Sequence, residues 1–312
     1  MMQHYKMLMS GSAEHSDMEH SAMSDAEAVP DPQPRSRAVS LFRRGNSAIS
    51  RPVTFELASG RELFADFLPS TFINPARVWE SLSPVVLQAD HLIGNGLFPN
   101  VASDPAATAF DILRTRLLGG LAEKHWRRVA VTAPTHGCGT SLIAANLALS
   151  LARRPESRTV LMDFDLLHPG LARLLGVDGV HPLAEFLSGE QPLEAMFHRV
   201  DRNLALGLNS EPVADAAARL LNPDTASAMA ALIDQLDPDV VLYDLPPALT
   251  SDAVMAMAPN LDCVLLVCDG TRTSPEDIRA CERLFAGRLP LMAVVLNRAQ
   301  DRRPRRYRYD RG

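Results

Sequence analysis

The amino-acid sequence predicts an α/β protein built on a mostly parallel, doubly wound sheet. Three observations carry that expectation. From about residue 104 onward, short apolar runs alternate with helical stretches, as strands joined by crossover helices do. The runs RRVAVTA, RTVLMDFD, PDVVLYDLPP, LDCVLLVCDG and LPLMAVVLN have continuously apolar centres, which suits strands covered on both faces. A glycine-rich turn and several acids follow these runs directly, at the carboxyl ends of strands, where such sheets bind ligands.

The elements follow in order. Residues 1–50 are rich in Met, Ser, His, Asp and Pro without periodicity and read as a disordered arm. His4, His15 and His20 stand near acids in that arm; a metal site and a solvated tail are the two alternatives. Residues 51–103 mix short apolar runs with prolines and read as a loosely ordered segment leaning on the next domain. Residues 104–300 form the regular domain, and 301–312 a tail. Asp104 before Pro105 is an N-cap followed by Pro at N1, and Phe110, Leu113, Leu117, Leu118 and Leu121 keep helical spacing behind it. SLIAANLALSLARR, PGLARLLG (closed by Gly176), PLAEFLSG, PLEAMFHRV, Thr225–Leu236 and PEDIRACERLFAG read as further helices, and NLALGLN as a strand.

Composition bounds the function. With 46% hydrophobic and 22% charged residues over 312 positions, a wholly disordered, collagenous or disulfide-miniprotein chain is excluded. Apolar runs such as Val264–Cys268 fall far short of the ~20 residues a membrane helix needs. The first twenty residues hold no apolar signal core, so a cytoplasmic location is expected. A net charge of −6 gives no reason to expect a nucleic-acid partner. Cys138, Cys263, Cys268 and Cys281 lack C-x-x-C spacing, which indicates reduced thiols rather than zinc or a disulfide framework.

The chemistry concentrates after the first strand, in APTHGCGTS, where strand, glycine loop and helix follow one another as in a phosphate loop of the form G-x-x-x-x-G-K-[ST]. Gly139 holds the second glycine, and Ser141 the hydroxyl that reaches Mg²⁺. Thr140 stands where the lysine belongs. The helix N-terminus still offers roughly half a positive charge to a phosphate. The missing ammonium weakens phosphoryl transfer more than binding, because charge stabilisation is most of that catalysis. Lys124 precedes the strand, at the wrong end, and Arg272 is an alternative cation. Asp163 and Asp165 close the second β run and Asp244 a later one. Carboxylates gathered in one crevice repel unless a cation sits among them, and Mg²⁺ on a nucleotide meets that need. Cys138 at a helix N-terminus invites a redox role, against simple loop filling.

With these residues in place, the sequence resembles the bacterial tyrosine kinases of capsule and exopolysaccharide synthesis, the BY-kinases, within the MinD/ParA-like P-loop NTPases. The resemblance covers about residues 104–300. It rests on AFDILRTRL, TAPTHGCGTSLIAANLALSLA, VLMDFDLLHPGLARLLG, PLAEFLSGEQPLEAMF, LLNPDTASAMAALIDQLDPDVVLYDLPPAL and VVLNR in that order. It implies ATP and Mg²⁺ as cofactors, with Gly137, Cys138, Gly139, Thr140, Ser141 and Leu142 in the nucleotide loop. It further implies Asp163 and Asp165 as catalytic carboxylates, with Ser141, Asp163 and Asp244 organising the metal. Asn297 and Arg298 fall where the family's base-recognising strand end lies, and the resemblance implies Tyr307 and Tyr309 as phospho-acceptors of the tail. The partner implied is a membrane-embedded polysaccharide co-polymerase, a Wzz-like chain-length determinant, which would hold the protein at the inner membrane.

The chain departs from the family at named positions. Thr140 replaces the Walker lysine, and Thr135 stands where the partition ATPases carry theirs. Leu167 and His168 occupy positions that usually hold arginine. Thr108, Asp111 and Arg114 take the places of the E-x-x-R-x-x-R pattern through which the family forms homo-oligomers. All but two of the 31 basic residues are arginine, and seven of these lie within 298–312. The tail therefore reads either as a short phospho-acceptor segment or as a basic contact for anionic lipid or an acidic partner. Two other functions stay open: a pseudokinase scaffold and a partitioning ATPase.

Overall fold

The computed structural model describes residues 4–8, 74–99 and 104–299. The elements run in chain order as β1 (His4–Leu8), α1 (Pro75–Ser81), β2 (Ser83–Pro84), α2 (Ala89–Gly94), α3 (Pro105–Lys124), β3 (Arg128–Thr132), α4 (Thr140–Ala152) and β4 (Thr159–Asp163). Then follow α5 (Leu171–Leu175), α6 (Leu183–Leu187), α7 (Leu193–Met196), β5 (Phe197–Val200), β6 (Leu204–Gly207), α8 (Ala216–Leu221) and α9 (Pro223–Leu236). The chain continues with β7 (Val240–Asp244), α10 (Ala253–Met257), β8 (Cys263–Asp269), α11 (Pro275–Phe285) and β9 (Leu291–Ala299).

The described strands make one sheet in the order β1-β9-β8-β3-β7-β4-β6-β5-β2. From β9 to β6 all neighbours are parallel, while β1 and β5 join antiparallel. This is the doubly wound sheet the apolar runs predict. The alternation of the strands shows why. Val129 and Val131 enter one core with Phe110, Leu117, Ile143 and Leu147, whereas Ala130 enters the other with Met229, Leu232 and Phe285. Side chains of period two thus feed two helical layers.

Local chemistry sets the helix ends. The Asp104 carboxylate accepts from the Ala106 amide at 2.8 Å, and Pro105 opens α3. Ser274 and Asp277 form a reciprocal capping box on α11. Gly176, at φ +70°, closes α5, as its position in the sequence predicts.

The structure differs from the sequence reading in three places. PLEAMFHRV is not one helix: α7 stops after four residues and Phe197–Val200 forms β5 beside β6. Phe197 explains the switch. Its ring lies edge-on to Phe186, 5.3 Å between centroids, and fills the space above Gly207, where a Cβ would stand 2.7 Å from it. Residues 74–99 are not loosely attached. Trp79 is buried and donates its indole N–H to the Leu236 carbonyl at 2.7 Å, while β2 extends the sheet beside β5. Residues 4–8, inside the expected disordered arm, form the edge strand β1 along β9. The rest of that arm, including His15 and His20, and the tail from residue 300 lie outside the described residues.

Candidate nucleotide site

The carboxyl ends of β3, β7, β4, β8 and β9 share one edge of the sheet, because these strands are parallel. The loop from Ala133 to Gly139 leaves β3 at that edge and enters α4. Gly137 and Gly139 take φ of +79° and +89°, a backbone region that glycine adopts without strain. Gly139 serves as N-cap of the thirteen-residue α4, and no side chain caps it. The first amides of that helix are therefore left to an external acceptor.

Gly139 is required by packing as well as by conformation. A Cβ there would stand 2.4 Å from Asn297 Nδ2. Asn297, buried at the end of β9, donates that amide to the Cys138 carbonyl at 2.8 Å and accepts from the Arg298 amide at 2.9 Å. Arg298 donates to the Gly137 carbonyl at 2.9 Å and to the Asp269 carboxylate at 2.6 Å. Two residues expected near a base therefore brace the loop from its far side. Asp269, buried at the end of β8, completes the brace. Its signal in the sequence is its position as an acid closing the apolar run LDCVLLVCDG. Burial and the Thr271 and Arg298 donors pull its pKa in opposite directions, and the donors prevail, holding it below the usual carboxylate range.

On the other side of β3 the acids have no such partners. Asp163 and Asp244 are register neighbours on β4 and β7, and both are buried. One Asp163 oxygen accepts from the Gly170 and Leu171 amides at 3.0 Å each. Its other oxygen, and one oxygen of Asp244, meet no partner among the described residues. Burial pushes Asp163 up to about 7, with Asp165 adding repulsion. Burial, reinforced by Asp163 and Asp165, pushes Asp244 well above the carboxylate range, while the Ser141 hydroxyl hydrogen-bonds it and opposes that shift. Asp165 is half-buried and also raised by burial, against the His168 amide that donates to it at 3.1 Å. His168 stacks edge-on with His136, 5.9 Å between centroids, and the latter meets Thr250 at 3.3 Å.

Thus the structure brings Ser141, Asp163, Asp165 and Asp244 together beside the loop. Two buried carboxylates with unpartnered oxygens and an adjacent hydroxyl fit a Mg²⁺ ion, which takes one or two carboxylates together with phosphate oxygens and water. Among the described residues no group of three His, Cys, Asp or Glu forms a protein-only metal site, so water and phosphate oxygens would complete the shell. Leu142 contributes packing, its Cδ1 lying 3.7 Å from the Cβ position of Gly96. Cys138 is buried between Thr135 and Thr273, at 3.8 and 3.7 Å, which agrees with loop filling. Tyr307 and Tyr309 lie outside the described residues.

Such a loop, between a central parallel strand and its helix with acids on the adjoining strands, defines a P-loop NTPase fold. A family profile described as ParA, NUBPL iron-transfer P-loop NTPase, matches residues 125–303. The chain belongs to the ParA/MinD-like P-loop NTPase family. It is 32% identical over 218 residues to a protein named as a tyrosine-protein kinase, EpsB, of Ralstonia solanacearum, covering 68% of this chain and 28% of that one. It is 31% identical over 184 residues to the succinoglycan biosynthesis transport protein ExoP of Rhizobium meliloti, covering 57% of this chain and 23% of that one. The chain thus spans about a quarter of the length of these relatives. The kinase domain of the Escherichia coli tyrosine kinase ETK superposes with a TM-score of 0.58 at 21% identity, over 66% of this chain and 81% of that one, which concerns the fold.

Proposed function

We propose that this protein is a BY-kinase-like nucleotide-binding protein of exopolysaccharide or capsule synthesis. It takes ATP with Mg²⁺ at the loop and acts on tyrosine, Tyr307 and Tyr309 being the candidate acceptors. The carrying observation is the pair of buried, unpartnered carboxylate oxygens on Asp163 and Asp244 beside Ser141. The relatives' names support the class of process: EpsB is named a tyrosine-protein kinase and ExoP a succinoglycan biosynthesis transport protein.

The residues divide the work as follows. Ser141, Asp163 and Asp244 hold the metal, and the α4 amides hold phosphate oxygens. Mg²⁺ supplies charge neutralisation on the phosphates when bound. Asp165, raised by burial yet partly exposed, accepts the proton of an incoming hydroxyl in this reading, and a raised pKa makes it a better base. Geometry permits the tail to reach its own site. β9 ends at the same edge as β4, four strand spacings away, or about 19 Å. The eight residues after Ala299, up to Tyr307, span up to about 28 Å when extended.

The partner in this reading is a membrane-embedded polysaccharide co-polymerase, with the arginine-rich tail touching anionic lipid or that partner. No described helix is long and apolar enough to cross a membrane. The test is a phosphotyrosine blot of the full chain incubated with ATP and Mg²⁺. Signal that vanishes in Tyr307→Phe/Tyr309→Phe and in Asp163→Ala supports the kinase. A second reading, a scaffold without catalysis, is favoured by Thr140. It predicts no phosphotyrosine, and polysaccharide output unchanged by Asp163→Ala and Asp244→Ala in the host cell.

A further inference from the structure

The loop lacks its lysine, and the described residues offer few replacements. The chain holds two lysines. Lys124 ends α3, at the sheet edge opposite the loop, and Lys6 stands on the edge strand β1, three strands from β3, about 14 Å away. Among the described residues, two arginines approach the loop. Arg298 is consumed by Asp269 and by the Gly137 carbonyl. Arg272 is different. Its Nη1 stands 3.6 Å from the position of a Cβ on Gly137, so the guanidinium lies over that glycine.

The backbone beneath Arg272 is firmly held. The Asp269 carboxylate accepts from the Thr271 amide at 2.8 Å and from its hydroxyl at 2.6 Å. The Arg272 and Thr273 amides donate to the Asp269 carbonyl at 3.1 and 2.9 Å, and the Thr273 hydroxyl accepts from the Asp269 amide at 2.9 Å. Ser274 then caps α11. This turn fixes the Arg272 backbone while its side chain makes no hydrogen bond or ion pair with any described residue. An exposed guanidinium beside uncapped amides is suited to phosphate, which it can hold through two parallel N–H donors.

We propose that Arg272 supplies the cation that the loop's own sequence omits, its guanidinium binding the phosphates of the nucleotide held by residues 137–141. The proposal rests on the nucleotide-site reading above. It places the compensating charge on the β8–α11 turn, in a residue that arrives from a different strand.

The experiment is calorimetric titration of the full chain with Mg-ATP and Mg-ADP, for the native sequence, Arg272→Ala, Arg272→Lys, Thr140→Lys and Thr140→Lys/Arg272→Ala. Arg272 is exposed, and matching thermal unfolding of each variant verifies folding. The proposal expects Arg272→Ala to bind at least about tenfold more weakly, with Arg272→Lys intermediate. It expects Thr140→Lys to restore affinity in the Arg272→Ala background and to add little to the native protein. Native protein that binds nucleotide, with Arg272→Ala binding equally well, overturns the proposal and leaves the site reading intact. An equal gain from Thr140→Lys in both backgrounds also overturns it. Native protein that binds neither nucleotide overturns the site reading, and the proposal with it.

Discussion

The two flanks of the loop carry opposite electrostatics. On the β8–β9 flank the buried acid is matched: Asp269 is held by Arg298 and two Thr271 donors, and its pKa is lowered. On the β7–β4 flank Asp163 and Asp244 are equally buried but keep unpartnered oxygens, and both are raised. The same residue type therefore does two jobs. The matched flank shapes the loop, and the unmatched flank stores an unmet demand for a cation. Buried unpaired carboxylates cost stability, so retaining two of them side by side points to a ligand rather than to the fold.

The comparison breaks most directly at Gly139. Gly139→Ala puts a Cβ against Asn297 at a positive φ, and should abolish nucleotide binding and destabilise by about 2–3 kcal/mol in urea unfolding. Next, Arg298→Ala leaves Asp269 buried without its cation. Because Arg298 is half-exposed, the expected loss is about 1–3 kcal/mol, with weaker nucleotide binding through a loosened loop.

The unmatched flank should respond in the opposite sense. Asp163 has its pKa raised in the folded state, so its stabilising protonated form is fully present below about 4 and is lost as pH rises toward about 7. In the absence of Mg²⁺, thermal unfolding should fall across that window. Asp163→Asn should flatten the slope and raise metal-free stability near neutrality by on the order of 1 kcal/mol. A slope unchanged in the variant would place the titration elsewhere. The smallest effect belongs to Cys138→Ser, which should cost under about 1 kcal/mol, keep nucleotide binding, and match a native thiol that resists maleimide labelling while folded.

Much of this flank was legible in the sequence, because each acid directly follows an apolar run and strands of a parallel sheet deliver such residues to one edge. The loop glycines were legible for the same reason. The matching flank was harder. Asn297 and Arg298 face inward to brace the loop, and nothing in VVLNR distinguishes a brace from a ligand contact. The strand Phe197–Val200 was hidden because PLEAMF has helical spacing, and the decision falls to Phe197 filling the space over Gly207. Residues 74–99 were hidden because their anchor is one indole, Trp79, bonded 157 positions away.

One measurement bears on the central claim, that the unpartnered acids form a magnesium-dependent nucleotide site. Calorimetry of ATP binding should be run with Mg²⁺ and with EDTA, on the native chain and on Asp244→Asn. Binding that needs Mg²⁺ and disappears in Asp244→Asn, with the variant folded and at least as stable, is the predicted result. Equal affinity in EDTA, or in Asp244→Asn, would contradict it.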